Sequence, residues 1–485
     1  MWPKLRQLLR QLRLTLAEPP SPRLADENQW YTEHTALLVS TLKWAMLGAG
    51  AGVCVGLGTR AFLWSISASG AFLAGQVAGR VPLYFALPLA LPLCVWLIRT
   101  FSPEARGHGT EAVIAAIHQR SGRIDWLVAP VKLVATVITL AFGGSVGKEG
   151  PAAQIGAAIT SLFADLTRLN DADRRRLVIC GISAGFAAVF GTPVSGALFG
   201  IEVLYLGRID YTVIFPALVA GIVGHLVCGV APPFPLLNGA VGDHTQIRMI
   251  LTSLASGAIF GLVALLLIET LRAVEHRLQR FASHPYRVAF GGGCALVLLY
   301  FAAGDRFAGL GTETIAGVLN GTIPVGSTDF LVKILATAIT LEVGGSGGIL
   351  TPVFFIGVTS GAALAPVFGV SAALLGAFGF IAVLAAAANT PLAAAVMAIE
   401  IFPAPLGVLA ALAAATAYLM VGHRSVYASQ KLGFSKSAGL DMALGGDIGE
   451  FNRAAIKVRP GSFTARLHNL GRPRPRDDAD SGADS

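Results

Sequence analysis

Long apolar runs separated by short polar or glycine-rich breaks occupy the chain from residue 36 to residue 421. In the first half they lie at about 36–66, 81–98, 126–142, 152–166, 177–206 and 213–230. In the second half they lie at about 249–271, 288–303, 330–343, 353–368, 372–388 and 392–421. A helix needs about 20 apolar residues to cross a hydrocarbon core, and several of these runs are shorter. Unpaired backbone is costly in lipid. The pattern therefore predicts an all-α, polytopic membrane protein in which some helices are re-entrant or broken inside the bundle.

One break organises the rest. Gly143-Gly144-Ser145-Val146-Gly147-Lys148-Glu149-Gly150-Pro151 separates the apolar stretches 133–142 and 152–163. A charge at mid-bilayer costs about 2.5–3.5 kcal/mol even on the lenient insertion scale, so the Lys148-Glu149 pair is expected to be paired, hydrated or functional. Pro151 suits the first turn of a helix, and the glycines before it let the backbone turn so that free N–H groups point outward. A helix end of that kind attracts anions.

The same stretch occurs twice. KLVATVITLAFGGSVGKEGP, from Lys132, and KILATAITLEVGGSGGILTP, from Lys333, align without a gap at a shift of 201 residues. Upstream, Gly107-His108-Gly109-Thr110-Glu111 is matched by Gly309-Leu310-Gly311-Thr312-Glu313. Downstream, Thr192-Pro193 with Ile201-Glu202 is matched by Thr390-Pro391 with Ile399-Glu400. Paired halves with interrupted apolar segments at corresponding positions predict a transporter-type fold with its site at the repeat interface. Where the first copy has Lys148-Glu149 the second has Ile349-Leu350, so the repeat accounts for the backbone and the difference singles out Glu149.

Composition narrows the class. The chain is 54% hydrophobic and only 13% charged, which excludes a soluble enzyme of this size. Its 57 glycines suit closely packed membrane helices. Its five cysteines, Cys54, Cys94, Cys180, Cys228 and Cys294, lie in apolar segments without CxxC spacing, which points to neither a disulfide framework nor a metal site. The formal charge of +8 reads as positive-inside loops, not as a nucleic-acid surface. The Asp173-Arg174-Arg175-Arg176 cluster is expected to mark a cytoplasmic loop.

Outside the apolar region the text is simpler. Residues 1–16 space Lys4, Arg6, Arg10 and Arg13 among leucines, as either a basic amphipathic helix on the cytoplasmic face or a disordered basic tail. The organisation expected is a basic segment at 1–35, a membrane domain at 36–430 in two repeats (36–230 and 245–430), and a cytoplasmic tail at 431–485. That tail turns from basic to acidic and leaves no room for a large regulatory domain.

At these motifs the chain resembles the CLC family of chloride channels and chloride/proton exchangers. The family's GKEGP motif stands as Gly147-Lys148-Glu149-Gly150-Pro151, its GxFxP motif as Gly348-Ile349-Leu350-Thr351-Pro352 with Leu for Phe, and its GSGIP motif as Gly107-His108-Gly109-Thr110-Glu111 without Ser or Pro. The resemblance implies an antiparallel inverted-repeat bundle, a homodimer with one anion pathway per subunit, in a prokaryotic-type inner membrane. It implies chloride or another small anion as cargo, and neither cofactor nor metal. Glu149 would be the gating carboxylate, with a salt bridge to Lys148 or Lys132 as the structural alternative. Gly147 and Lys148, and the amides of Gly348, Ile349 and Leu350, are the candidate anion ligands. His108 is either an anion selector or a bystander, and Tyr427 either lies near the central anion or anchors at the interface.

Family exchangers often carry two adjacent acidic residues where this chain has Glu202-Val203. Without the second, the implied function is a voltage- or pH-gated chloride channel. The alternative is a proton-coupled chloride or fluoride antiporter with Glu149 and Glu202 on the proton path, and the intact Pro151 argues against the fluoride branch. Glu202 is otherwise a cap or ion-pair partner. Lys132 and Lys333, equivalent in the repeats, read as snorkelling structural residues, and Glu342 has no partner that the sequence names. No HExxH, GxSxG or phosphate-loop motif points to an enzyme.

Overall fold

The computed structural model describes residues 29–77, 82–230, 246–450 and 456–470. It divides into two compact units, Met1–Leu47 and Gly48–Ser485, and apart from the start of the first helix everything below concerns the second. The expected basic helix at 1–16 and the acidic end of the tail lie outside the described residues.

The first repeat carries α1 (Gln29–Val77), α2 (Leu87–Phe101), α3 (Thr110–Gln119), α4 (Val128–Ala141), α5 (Glu149–Leu166), α6 (Asp171–Phe190), α7 (Pro193–Glu202) and α8 (Ile214–Cys228). The second carries α9 (Gln246–Gln279), α10 (Pro285–Ala303), α11 (Thr312–Leu319), α12 (Asp329–Glu342), α13 (Leu350–Phe368), α14 (Ala372–Ala388), α15 (Pro391–Ile401) and α16 (Ala404–Met420). A short α17 (Phe463–Leu470) follows. Six of the described helices are long and apolar enough to cross a membrane; α5 and α6 match them in length but are less apolar, and most of the others are shorter, as the run lengths require. The only described sheets are two-stranded: β1 (Tyr205–Leu206) pairs in parallel with β2 (Lys431–Leu432), and β3 (Leu440–Asp441) pairs with β4 (Lys457–Val458).

Two long apolar runs are split by backbone chemistry that hydropathy does not see. Run 177–206 becomes α6 and α7 because Gly191 ends α6 in the left-handed region at φ 69° and Pro193 opens α7. Run 392–421 becomes α15 and α16, with Phe402 extended and Pro403 at the new N-cap. The Asp173-Arg176 cluster, expected as a loop, is instead the first turn of α6. Asn170 Oδ1 accepts the N–H of Asp173 at 2.8 Å and caps the helix, and Arg174 is buried against Asp165 at 2.6 Å.

The repeat is physical as well as textual. α4 and α12 begin at 128 and 329, α5 and α13 at 149 and 350, α6 and α14 at 171 and 372, all at the sequence shift of 201. Helix crossings repeat too: Gly156 of α5 touches Gly181 of α6, and Gly357 of α13 touches Gly379 of α14. At each glycine a Cβ would overlap the carbonyl of its partner, so these crossings require the bare backbone. The core that results lies along α5, α6, α13 and α14, where the helix faces are buried almost without interruption.

Candidate anion site

The site begins with two buried lysines. Lys132 of α4 donates from Nζ to the carbonyls of Ala105 (3.1 Å) and Gly107 (2.6 Å), and Lys333 of α12 donates to those of Phe307 and Gly309 (2.9 Å each). Both are fully buried, so they do not snorkel. They tie down the Gly-rich loops that enter α3 and α11, where loop carbonyls supply the partners that buried ammonium groups need.

Between the repeats runs a ladder of hydroxyls. Ser145 N–H donates to Thr340 Oγ at 3.1 Å and Ser346 N–H to Thr139 Oγ at 3.0 Å. Ser145 Oγ meets Thr337 Oγ at 2.9 Å, and Ser346 Oγ meets Thr136 Oγ at 3.1 Å. The two Gly-rich loops then pair directly, Gly147 N–H to Gly348 carbonyl at 2.6 Å and the reverse at 2.7 Å. Those two amides are committed to each other. Lys148, Ile349 and Leu350 remain as the candidate backbone ligands at the starts of α5 and α13, where first-turn N–H groups have no helical partner.

Glu149, the first residue of α5, crosses this pseudo-symmetric seam. Its carboxylate is buried at 1% exposure and lies on the N-terminus of α13, in the other repeat. The hydroxyl of Thr351 stands 2.6 Å from both carboxylate oxygens, and the N–H of Thr351 donates to Oε2 at 3.1 Å. These partners are neutral, and among the described residues Glu149 makes no salt bridge to Lys148 or Lys132. The carboxylate thus sits where a small anion at a helix N-terminus would sit. Thr351 was not among the residues singled out from the sequence, although it stands at the variable position of Gly348-Ile349-Leu350-Thr351-Pro352.

Other candidates surround this point. Tyr427 is buried at 1% exposure, not interfacial, and lies within electrostatic reach of Glu149 and Glu111. Glu111 accepts the N–H and hydroxyl of Ser429 at 2.8 and 2.6 Å. The carbonyl of His108 lies against Gly150, and its ring faces Glu342, Nε2 to Oε1 4.0 Å. Glu342 therefore has a partner that the sequence does not reveal.

Glu202 and Glu400 do something different. Glu202 accepts the N–H groups of Leu392 (3.0 Å) and Ala393 (2.7 Å), capping α15. Glu400 reciprocates on α7 through Val194 (2.9 Å) and Ser195 (2.8 Å). Losing a cap of this kind costs about 0.5–2 kcal/mol. Glu202→Ala and Glu400→Ala are accordingly expected to lower the thermal unfolding temperature to a similar degree in detergent, with coupling of any proton movement retained. Loss of coupling in Glu202→Ala alone would return Glu202 to the proton path.

Basic residues collect at one end of the bundle: Arg272, Arg277, Arg280 and Arg287 around the turn between α9 and α10, and Arg424, bound to Glu269 at 2.7 Å. By the positive-inside rule a turn of this composition is expected on the cytoplasmic side. A cavity of about 480 Å³ lined by Arg60, Lys148 and Leu310 opens beside the α5 N-terminus. Lys148 therefore lines, with Arg60 and mostly apolar side chains, a cavity next to Glu149.

A family model described as "Voltage gated chloride channel" matches residues 89–422. The chain belongs to this family. CLC proteins are anion transporters and channels, and this chain carries the paired repeat and the Gly-rich helix entrances described above. A "Chloride/fluoride channel protein" of Pseudomonas syringae pv. tomato is 38% identical over 337 residues, 68% of this chain and 74% of that protein. The "H(+)/Cl(-) exchange transporter ClcA" of Citrobacter koseri is 29% identical over 341 residues, 66% of this chain and 71% of that protein. A crystal structure of a CLC-type fluoride/proton antiporter superposes with TM-score 0.75 at 29% identity, covering 81% of this chain and 98% of that one.

Proposed function

We propose that this protein is a proton-coupled antiporter exchanging a halide, fluoride or chloride, for protons. The observation that carries the reading is the Glu149 carboxylate on the N-terminus of α13, held by the hydroxyl and N–H of Thr351 and, among the described residues, in no salt bridge. Ionised, it competes with the halide for the seat; protonated, it loses its claim on the donors and leaves carrying a proton. One group then handles both ions.

The expectation of a gated channel, drawn from Val203, gives way here. Relatives named as a proton/chloride exchanger and a fluoride/proton antiporter support coupling, and Glu202 is occupied as a cap. Pro151 does not separate the anions, since the relatives similar to this chain include fluoride as well as chloride proteins. A homodimer in the inner membrane, with one pathway per subunit, belongs to the same proposal.

Purified protein in liposomes, loaded in turn with fluoride and chloride while external pH is recorded, tests it. The reading expects halide efflux to drive protons uphill at a fixed ratio. Halide flux without proton movement would restore the channel. Thr351 gives a sharper test. A hydrogen bond to a charged group contributes about 1.5–3 kcal/mol, so Thr351→Val should release the carboxylate and raise halide flux at neutral pH by tenfold or more, while Thr351→Ser keeps it near wild type. Unchanged flux in Thr351→Val would remove Thr351 from the gate.

A further inference from the structure

Two titratable residues that the exchange reading leaves unused, His108 and Glu342, meet beside the Gly-rich entrance to α3. His108 lies two residues before the start of α3, and its carbonyl lies against Gly150, one residue from the gating carboxylate. Its Nε2 is 4.0 Å from Glu342 Oε1, an ion-pair separation too long for a direct hydrogen bond. Its Nδ1 is buried and has no hydrogen-bond partner among the described residues. Glu342 ends α12 and lies within electrostatic reach of Glu275, in the α9 segment that leads into the basic turn expected on the cytoplasmic side. Neither residue is repeated: the matching positions hold Leu310 and Ala141. The pair belongs to one side of the membrane only.

The charged groups facing the pair are few. Among the described residues, Glu275 of α9 and Arg106 of the loop before α3 act on Glu342, and Lys132 of α4 acts on His108. An ionised Glu342 beside the entrance to α3 repels a halide; a proton on the pair cancels that repulsion and leaves a ring N–H to meet the anion.

We propose that His108 and Glu342 form a second, proton-linked gate on the cytoplasmic side, admitting halide when the pair carries a proton and excluding it when Glu342 is ionised and His108 neutral. The proposal rests on the exchange reading, because it needs a halide to pass this point. The proton taken up on entry is returned to the same water when the halide has moved outward, so the gate adds no net charge transfer. Its effect is to make halide entry from the cytoplasm depend on acid even when Glu149 cannot titrate.

The experiment therefore starts from Glu149→Gln. Chloride and fluoride efflux from liposomes is measured at symmetrical pH from 5 to 8. The gate expects flux in Glu149→Gln to rise about tenfold per pH unit of acidification above its midpoint, the limit for one titrating site, and to level off below it. Adding Glu342→Gln should leave flux high and flat. Two milder changes on the Glu149→Gln background keep the test alive if that double variant does not fold. Glu275→Gln removes a negative neighbour and should move the midpoint toward acid, Arg106→Gln removes a positive one and should move it toward alkali, each by roughly half a pH unit. Halide flux that is strong but independent of pH in Glu149→Gln, or shifts of the same sign in the two charge variants, overturns the gate and leaves the exchange reading intact. No halide flux in wild type or Glu149→Gln overturns both.

Discussion

Proton movement coupled to halide flux is expected to fall to background in Glu149→Gln, while halide flux itself continues. Positioned proton-transfer groups typically contribute 10²–10⁴-fold, so the loss should be at least about 100-fold in the liposome assay. The argument is local. Glu149 is buried on the N-terminus of α13, and its partners are one hydroxyl and one amide, both from Thr351. Gln keeps the shape and an acceptor for those donors but carries no charge and no titratable proton. The variant therefore resembles the protonated side chain permanently, with a weaker hold on the seat. Retained uphill proton transport in Glu149→Gln would place the coupling carboxylate elsewhere, with the buried Glu202 and the half-buried Glu111 and Glu342 as the alternatives.

Much of this was legible in the chain before its folding was known. The shift of 201 residues appears again as matched helix starts and as reciprocal bonds between Ser145 and Thr340 and between Ser346 and Thr139. Glu149 stood out because its repeat partner is Leu350. What periodicity could not show were the partners. A hydroxyl in an apolar run reads the same whether it bonds its own helix or the other repeat, so the role of Thr351 and the interrepeat ladder stayed hidden. The lysines misled for a related reason: Lys132 and Lys333 look like snorkelling residues until the loop carbonyls that capture them are seen. Glu202 is the instructive case, since its sequence position fits both proton carrier and cap, and the cap became visible only with the N–H groups of Leu392 and Ala393.

Gly150→Ala is expected to abolish transport and most folded protein, the largest structural effect of any single methyl near the site. A Cβ at this position would lie inside the carbonyl oxygen of His108 and 3.0 Å from the Cα of Gly348. Both obstacles are backbone, so no rotamer change relieves them. The His108 loop is also held by Lys132 through Gly107, and Gly348 is held by its paired bonds with Gly147. Overpacking usually costs 1–3 kcal/mol; with both neighbours anchored the cost should reach or exceed the top of that range, against a total stability on the order of 5–15 kcal/mol. The comparison variant is Gly291→Ala in α10, where a Cβ meets nothing within 4 Å. A helical Gly-to-Ala change in open space stabilises by about 0.5–1 kcal/mol, so Gly291→Ala should express and transport normally. Size-exclusion profiles and halide efflux on the two proteins check the contrast. Normal transport by Gly150→Ala would mean that the His108 and Gly348 backbones can separate without losing the anion seat, and that the close approach of the two repeats at Gly150 is not what forms it.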